Sequence, residues 1–499
     1  MKTKLIVLIL FIAILSLNSV ARDFNYTYDN QTLTYTVIDE EAKLCKVSNG
    51  KNVSGNLVIP KEVNDGNNIF SVVSIDDLAF YGSDLTSVAI PNVITSIGAN
   101  AFRMCEKLVS VEIPESVNKI EESTFLGCSK ISSIKLPNSL LSIGKDAFLG
   151  CSSLISITIP SYVTSIGYNA FKGCDSLLSI YFNAESCSEC GSSENPVFPN
   201  TIQEVYIGNL VKIIPDYIFF QCHNLKKLDI GKSVAIIGDY AFYECRSLIS
   251  LKIPHSVTKI GVCAFYFCEC LTSIDIPESV TAIGSWAFAN CTGVLTLNIP
   301  NSISTIEDNT FAGLWSLNSV TLPCSITSIG EYAFYGCGIE SLTIPPSVTS
   351  IAPVAFGGCN KMTSLTLPKD ITYIGDGAFE SCNNLSSIYY ESTDPISCNS
   401  NVFKCRNANS GKEWTLYGQA TLFVPNEAIG KYLKTDPWKE FTKIKPFDFA
   451  IIESTSENTE SINVIYSLNG VKMANSIDNL SPGIYIVRQG KLFKKIIIK

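Results

Sequence analysis

A period of 23 residues dominates this sequence from residue 57 onward and restricts the folds that it can adopt. The unit from Cys151 to Gly173 reads CSSLISITIPSYVTSIGYNAFKG and defines the template CxxLxxIxIPxxVxxIGxxAFxG. The Phe of this unit recurs fifteen times, as Phe80, Phe102, Phe125, Phe148, Phe171, Phe198, Phe219, Phe242, Phe265, Phe288, Phe311, Phe334, Phe356, Phe379 and Phe403. A repeat of this length is typical of solenoids, in which a turn buries its apolar face only by stacking on its neighbours.

The first half of each unit has the alternation of a short β-strand. Leu154, Ile157 and Ile159 place apolar groups toward an interior, whereas Ser156 and Thr158 between them face solvent. Equivalent strands of successive turns are expected to pair in parallel, about 4.8 Å apart. The pattern therefore predicts a parallel sheet along the concave face of the solenoid.

The second half of the unit returns the chain to the next strand. Pro160 lacks an N–H group and ends the strand, and Val163, Ile166 and Phe171 then fill the interior. Gly167 lies where we expect a tight turn. Together the two halves predict a repeat solenoid of the leucine-rich type with about fifteen turns of 23 residues.

The repeat pattern AFxxC followed by LxxIxIPxxVxxIG resembles the BspA-type leucine-rich repeat of bacterial surface proteins. The resemblance covers residues 57–405, with polar, Cys-containing insertions near 183–197 and 391–401. Residues 406–450 include Ala420 to Pro425, Tyr432, Trp438 and Phe441, and resemble the C-terminal cap that closes such arrays. The resemblance implies a surface-displayed binding protein.

The two ends of the chain differ in composition from the repeats. Residues 1–21 combine Lys2 and Lys4 with an apolar stretch and small residues, which predicts a signal peptide. Residues 22–56 are rich in β-prone residues and predict an N-terminal β cap. After a polar linker at 451–460, residues 461–499 resemble the sorting domain of the type IX secretion route. The alternative is a small C-terminal β module without a role in export.

Composition limits the partners of the chain. The net charge is −9 and the pI is about 5.0, without a polybasic run, so nucleic acid is not the expected partner. No later segment has the length of a transmembrane helix. We expect a monomer that is exported to the bacterial cell surface or the extracellular space.

Eleven of the 19 cysteines occupy one repeat position, three residues after the Phe. They are Cys105, Cys128, Cys151, Cys174, Cys222, Cys245, Cys268, Cys291, Cys337, Cys359 and Cys382. Leu314 holds this position in another unit, which indicates a buried apolar site in which free Cys acts as a small hydrophobic group. We therefore expect a structural ladder of reduced thiols.

The remaining cysteines give one spacing that is typical of metal or redox sites. Cys187 and Cys190 form a CxxC pair, but a structural zinc site needs four ligands and no second pair or nearby His completes it. A local disulfide or two unpaired thiols fit better, and Cys398 and Cys405 have the same two alternatives. No metal site is predicted.

Catalytic residues are not indicated either. His223 and His255 are the two histidines of the chain, and each lies at a variable repeat position that favours surface decoration. No nucleophile elbow, zinc-protease or phosphate-loop motif occurs. The sequence therefore predicts a protein without catalytic or cofactor-binding residues.

Two surface stripes are candidates for binding. The first is the polar, Ser/Thr-rich face of the strands, whose composition is equally explained by β propensity and solubility. The second flanks the repeat Phe in the middle turns and consists of Tyr217, Phe220, Tyr240, Tyr243, Tyr266, Trp286, Tyr332 and Tyr335. These rings either form a binding patch or pack against each other between turns.

The leading functional hypothesis is adhesion to host extracellular proteins or to other cells, as the resemblance implies. Two alternatives stay open: a glycan-binding solenoid in which exposed rings stack on sugars, and a passive envelope or spacer protein without a dedicated ligand. Regular solenoids present long surfaces rather than deep pockets, which favours a binding protein over an enzyme.

Overall fold

The computed structural model describes residues 22–406 and 413–447, and the backbone of five strands between residues 451 and 498. The predicted signal peptide and most of the predicted linker lie outside the described residues. The chain divides into two compact units, Met1–Val234 and Ala235–Lys499. The two units are described separately.

Unit 1 begins with a sheet of its own. Asp23–Tyr28, Gln31–Asp39 and Leu44–Asn49 pair antiparallel in sequence order. Leu44–Asn49 then pairs in parallel with Ile69–Ile75, against which Glu62–Asn64 lies antiparallel. This N-terminal sheet therefore extends beyond the predicted boundary at residue 56, because its fourth and fifth strands come after the first strand of the repeats.

The main ladder of unit 1 stacks the predicted repeat strands in parallel. Its strands are Ser54–Val58, Asp84–Ala89 and Ser110–Glu112, and then Ser156–Ile159, Ser179–Phe182, Glu204–Ile207 and Lys227–Asp229. A bridge between Glu112 and Lys135 continues the first group by one turn. Each strand places the expected apolar residues inside; Leu154, Ile157 and Ile159, for example, are buried.

A second parallel ladder, which the sequence analysis did not predict, runs through the VxxI part of the unit. Its strands have two residues: Ser96–Ile97, Lys119–Ile120, Ser142–Ile143, Ser165–Ile166, Glu189–Cys190 and Ile213–Ile214 in unit 1. In unit 2 they are Ile236–Ile237, Lys259–Ile260, Ala282–Ile283, Thr305–Ile306, Ser328–Ile329, Ser350–Ile351 and Tyr373–Ile374. Except in Glu189–Cys190, the second residue of each pair is a buried Ile, so this ladder forms a second wall of the core.

The main ladder of unit 2 continues into the C-terminal cap. Its strands are Ser273–Asp275 and Thr296–Asn298, and then Ser341–Thr343, Ser364–Leu367, Ser387–Tyr390, Thr421–Val424 and Ile444–Pro446. The last two follow the final repeat Phe, so the cap adds turns to the solenoid. Over both units the β-solenoid has about 17 turns, rather than the fifteen counted from the Phe residues.

The remaining elements of the cap are short. The 3-10 helices Ser400–Phe403, Leu416–Gly418, Asn426–Ala428 and Trp438–Glu440, the α-helix Ile429–Tyr432 and the strand pair Lys404–Arg406 and Glu413–Thr415 form it. The Trp438 ring lies 4.9 Å from Tyr390, and its indole N–H donates to the Ile396 carbonyl at 2.8 Å. The Tyr432 hydroxyl donates to the Ser392 carbonyl at 2.8 Å. These bonds tie the cap to the insertion near 391–401.

The repeat Phe rings form the centre of each unit. From Phe80 to Phe219 neighbouring rings stack with centroids 5.1–5.5 Å apart, and from Phe242 to Phe403 they stack at 5.3–6.0 Å. The stacking follows from the turn spacing, because one ring per turn places the rings at the distance that offset aromatic pairs prefer. Each Phe is buried.

The repeat Gly lies at the predicted tight turn, where the Gly167 carbonyl accepts a hydrogen bond from the Ala170 N–H at 3.3 Å, and it has a second role. Gly167 does not have a positive φ, but a Cβ atom there would lie 2.4 Å from the backbone nitrogen of Lys145 in the preceding turn. The residue is Gly because two turns of the backbone approach closely, and not because the chain needs a left-handed conformation.

The C-terminal segment forms a separate five-stranded sheet. Its strands are Ile451–Glu453, Val464–Tyr466, Lys472–Ala474, Gly483–Gln489 and Leu492–Ile498. Gly483–Gln489 pairs antiparallel with Leu492–Ile498, and Ile451–Glu453 joins the other side of that last strand in parallel. The first three residues of the predicted linker are therefore a strand of this sheet.

Candidate binding surfaces

The cysteine ladder lies inside the solenoid. All eleven thiols are buried and free, and in nine turns the Sγ atom donates to the carbonyl oxygen of the repeat Phe in the preceding turn at 3.0–3.5 Å. Ser83 holds the position in the first turn and is 2% exposed. The position therefore needs a side chain that is easily buried and that can also donate a hydrogen bond to a buried carbonyl. An apolar residue has no donor, and a strongly polar residue is costly to bury.

Burial also suppresses ionisation of several of these thiols. Loss of hydration raises the pKa of Cys174, Cys222 and Cys291 to about 12. A thiolate is the reactive form of Cys, so these residues are chemically inert in the folded chain. These three thiols act as packing groups, whereas hydrogen bonds with Cys128 and Ser83 lower the pKa of Cys105 in the same ladder.

Two backbone positions of the Phe turn are left-handed in all units except those of Phe198 and Phe403. Two residues before the Phe, φ lies between 52° and 62° in Asn100, Ser123, Asp146, Asn169, Tyr217, Tyr240, Cys263, Trp286, Asn309, Tyr332, Val354, Leu78 and Gly377. A residue two positions after the Phe has the same conformation. The N–H groups of these residues point to the next turn, as when Asn100 donates to Glu122 at 3.0 Å and Met104 to Leu126 at 2.7 Å.

This conformation distinguishes the predicted aromatic stripe from its background. Asn, Asp, Ser and Gly tolerate a positive φ, whereas a bulky side chain there is unfavourable by about 1–2 kcal/mol. Tyr240 and Trp286 nevertheless occupy the slot that Asn309 fills in the next turn. Backbone preference therefore does not explain why these turns carry rings.

Four of the predicted residues form one connected cluster in unit 2. Tyr240 lies 5.7 Å from Tyr243, Tyr243 stacks on Tyr266 at 5.1 Å, and Tyr266 meets Trp286 edge-on at 5.7 Å. Phe267, which sequence reasoning missed, packs against Tyr266 at 4.5 Å. We call these five residues the aromatic cluster. Trp286 is 38% exposed and the other rings are half-buried.

The other predicted rings are separate pairs. Tyr217 and Phe220 lie 5.8 Å apart in unit 1, where Phe220 is buried. Tyr332 and Tyr335 lie 5.5 Å apart in unit 2, and the turn between them and Trp286 carries Asn309 and Ala312 in the matching slots. Within unit 2, the predicted stripe is therefore interrupted after Trp286.

Charged groups border the aromatic cluster. Arg246 lies over the Phe267 ring at 5.6 Å and forms ion pairs with Glu244 at 2.8 Å and Glu269 at 3.6 Å. The Glu244 carboxylate, through its hydrogen bond, raises the pKa of Arg246, so the cation is retained at all ordinary pH values. The cluster thus presents rings beside a fixed positive charge and two carboxylates, a combination suited to a protein surface.

The strand face also carries aromatic residues, of which sequence reasoning named Tyr206 but missed Tyr181, Tyr389 and Phe423. In unit 1, Tyr181 and Tyr206 stack at 5.0 Å, with Lys227 beside them. In unit 2, Tyr389 stacks on Phe423 at 4.7 Å. The repeat spacing could have identified these residues, because Tyr181 is 23 residues after Thr158 and Tyr389 is 23 residues after Thr366, which places them at the same strand position.

The other candidate residues are two cysteine pairs and the two histidines. Cys187 and Cys190 are free, with their Sγ atoms 3.2 Å apart, and Cys398 and Cys405 are also free. Within the described residues no group of three or more His, Cys, Asp or Glu side chains is arranged to hold a metal ion. His223 is half-buried and His255 is exposed.

Family comparison identifies the repeats. The model of the BspA type leucine rich repeat region matches residues 73–195, 194–314 and 293–410, which together are more than half of the chain. The chain belongs to the BspA-type leucine-rich repeat family. This BspA-type protein has no significant match among curated proteins.

Solved structures agree with the fold of this BspA-type protein. A leucine-rich repeat protein from Bacteroides ovatus is 29% identical, with a TM-score of 0.60 over 85% of this chain and 100% of that chain. A leucine rich cell surface protein from Faecalibacterium prausnitzii is 24% identical, with a TM-score of 0.32 over 74% and 94% of the two chains. The T. pallidum leucine rich repeat protein is 28% identical, with a TM-score of 0.33 over 45% and 90%. The first likeness supports the solenoid fold of the BspA-type protein.

BspA-type proteins are typically found at bacterial surfaces. In the part of the chain that the structure describes, no helix is long and apolar enough to cross a membrane.

Proposed function

We propose that this BspA-type protein is a non-enzymatic binding protein of the bacterial surface that attaches to extracellular proteins or to other cells. The family and its repeat fold are generally binding scaffolds, which supports this class of function. The eleven ladder thiols are buried, and no metal-binding group occurs among the described residues, so the solenoid offers surfaces rather than chemistry.

We assign binding to the aromatic cluster of unit 2. The observation that carries this assignment is that Tyr240 and Trp286 are held at positive φ, in a slot that six other turns fill with Asn, Asp, Ser or Gly and that Leu78, Cys263 and Val354 also occupy. Unfavourable backbone conformations persist where a function requires them. Large rings beside an Arg are also the residue types that dominate binding energy at protein interfaces.

The test is capture of the full chain on immobilised extracellular-matrix proteins and on whole cells. Replacement of Tyr243, Tyr266 and Trp286 together by Ala should weaken capture at least tenfold, or about 1.4 kcal/mol, because it removes three connected rings. The matched control replaces Asn100, Asn169 and Lys172, which flank the Phe in unit 1, and should leave capture unchanged.

Packing as the sole role of the rings predicts a different outcome. Capture by the triple variant would then equal that of the natural chain, while its unfolding midpoint would fall. If neither matrix proteins nor cells retain the natural chain, the protein is better explained as a passive envelope component.

A further inference from the structure

The strand face of unit 1 carries a row of outward side chains that differ in size and charge from turn to turn. One outward position per turn carries, in order, Glu112, Lys135, Thr158, Tyr181, Tyr206 and Asp229. The Tyr181 and Tyr206 rings stack at 5.0 Å with an angle of 7° between their planes. Their faces therefore point along the row, toward the neighbouring turns.

One side of this ring pair is closed by the protein itself. The Lys227 Nζ atom lies 4.7 Å from the centroid of Tyr206 and donates to its hydroxyl at 3.2 Å. The Tyr206 hydroxyl donates in turn to Glu204 at 2.9 Å. Tyr206 is thus held between Tyr181 and a network of its own neighbours.

The other side of the pair is open. Tyr181 is 43% exposed, and within the described residues no hydrogen bond of its hydroxyl occurs. Its register partner in the preceding turn is Thr158, a short and exposed side chain. Lys135 holds the same position one turn before Thr158. The short Thr158 side chain therefore lies in a gap between the long side chains of Lys135 and Tyr181.

The gap has the dimensions of a ring-stacking slot. A flat ring placed above Thr158 would lie about 4.8 Å from Tyr181, the spacing of parallel strands. That distance lies within the preferred range for stacked rings, and it matches the 5.0 Å between Tyr181 and Tyr206. The hydroxyls of Ser156 and Ser179 lie on the adjacent outward row, one in each of the two turns concerned.

We propose that this slot on the strand face binds one pyranose ring of a glycan. The apolar C–H face of the sugar would stack on Tyr181, while its peripheral hydroxyls would bond to Thr158, Ser156 and Ser179. A Phe or Leu side chain of a peptide would leave the Thr158 and Ser156 hydroxyls without a partner, whereas Ser179 already donates to Glu204 at 3.4 Å, and the slot has no apolar wall to surround such a side chain. Lys135 on the far side disfavours an Arg and suits a neutral or acidic sugar.

This site is independent of the aromatic cluster, because all of its residues belong to unit 1 and none takes part in the proposed attachment to proteins. Loss of one activity would therefore leave the other intact. The two proposals are separable in a single set of variants.

The experiment titrates the full chain with methyl pyranosides of glucose, galactose, mannose, N-acetylglucosamine and sialic acid. Thr158→Tyr fills the slot by extending the existing stack, and Tyr181→Thr removes the platform by restoring the residue of the preceding turn. Each should weaken binding of the sugar at least tenfold with the unfolding midpoint preserved. Thr321→Tyr, at the same repeat position in unit 2, is the matched control and should leave the affinity within twofold.

Two results would overturn the proposal. Either no pyranoside binds the natural chain, or the Thr158→Tyr variant binds the pyranoside as tightly as the natural chain does. Capture of Thr158→Tyr on matrix proteins should be unchanged in either case. If Thr158→Tyr instead weakens that capture, the strand face belongs to a protein interface and the assignment to a sugar is wrong.

Discussion

At the scale of the residue, the ladder position selects Cys for two properties at once. The site is buried, which Leu314 also satisfies, and the preceding turn presents a Phe carbonyl within reach of a donor. The burial could be predicted from the exchange of Cys and Leu in the repeat. The S–H donation could not, because it depends on the offset between turns, which the period alone does not specify.

The raised thiol pKa predicts a particular sensitivity to alkaline pH. Burial raises the pKa of Cys291 to about 12, above the value of about 8.5 for an unfolded thiol. Its contribution to stability is therefore complete below about pH 8.5 and is lost as pH rises toward 12, at about 1.4 kcal/mol per pH unit. Cys291→Leu should make the free energy of unfolding fall less steeply between these limits.

The measurement is urea unfolding at a series of pH values from 8 to 11. Cys324→Ser serves as the control because Cys324 is exposed, and its curve should follow that of the natural chain. Equal slopes for Cys291→Leu and the natural chain would contradict the buried-thiol explanation.

The same burial predicts the redox state of the ladder. After denaturation without reductant, all eleven ladder cysteines should react with a thiol reagent, because the structure holds them as free thiols. In the folded chain Cys174, Cys222 and Cys291 should react slowly, since burial raises their pKa to about 12 and their thiolate population is small. Mass spectrometry that finds most of them in disulfides would show a covalently stapled scaffold instead.

At the scale of the element, a typical turn is two short parallel strands and a left-handed Phe turn. The main strands could be predicted because their apolar residues alternate. The two-residue strands of the second ladder could not, since VxxI has no period of two over that length. The close backbone approach at Gly167 could not be predicted for a related reason: the sequence shows a Gly but not the neighbouring turn that excludes a Cβ atom.

The left-handed slot predicts opposite effects for two exchanges in unit 2. Val354 is β-branched at φ 55°, whereas Asn309 holds the same slot at φ 57°. Val354→Asn should raise the free energy of unfolding by about 1 kcal/mol, and Asn309→Val should lower it by a similar amount. Urea midpoints of the two variants test this, and a shift of both in the same direction would show that side-chain contacts outweigh the backbone conformation.

At the scale of the whole molecule, the order of the parts could be predicted better than their edges. The repeats stand out because they share one template. The extent of a cap instead depends on which strands still form hydrogen bonds to the neighbouring strand. The N-terminal sheet reaches Ile75, and the main ladder continues to Ile444–Pro446, because hydrogen bonding carries on where the repeat motif stops. The two proposed binding surfaces likewise consist of side chains that depart from the template, such as Tyr181 and Trp286.

The last prediction concerns the C-terminal sheet, which we propose to be a sorting module. Since Ile451–Glu453 pairs with Leu492–Ile498, removal of residues 461–499 would leave a strand without its partner, and the informative deletion is 451–499. In the native bacterium that deletion should stop surface display and leave the protein in the periplasm. The unfolding midpoint of the solenoid should hardly change, because Tyr432 and Trp438 already close its end. Fusion of 451–499 to a periplasmic reporter should bring the reporter to the surface; display of the deletion variant at the natural level would instead show that the sheet has no part in export.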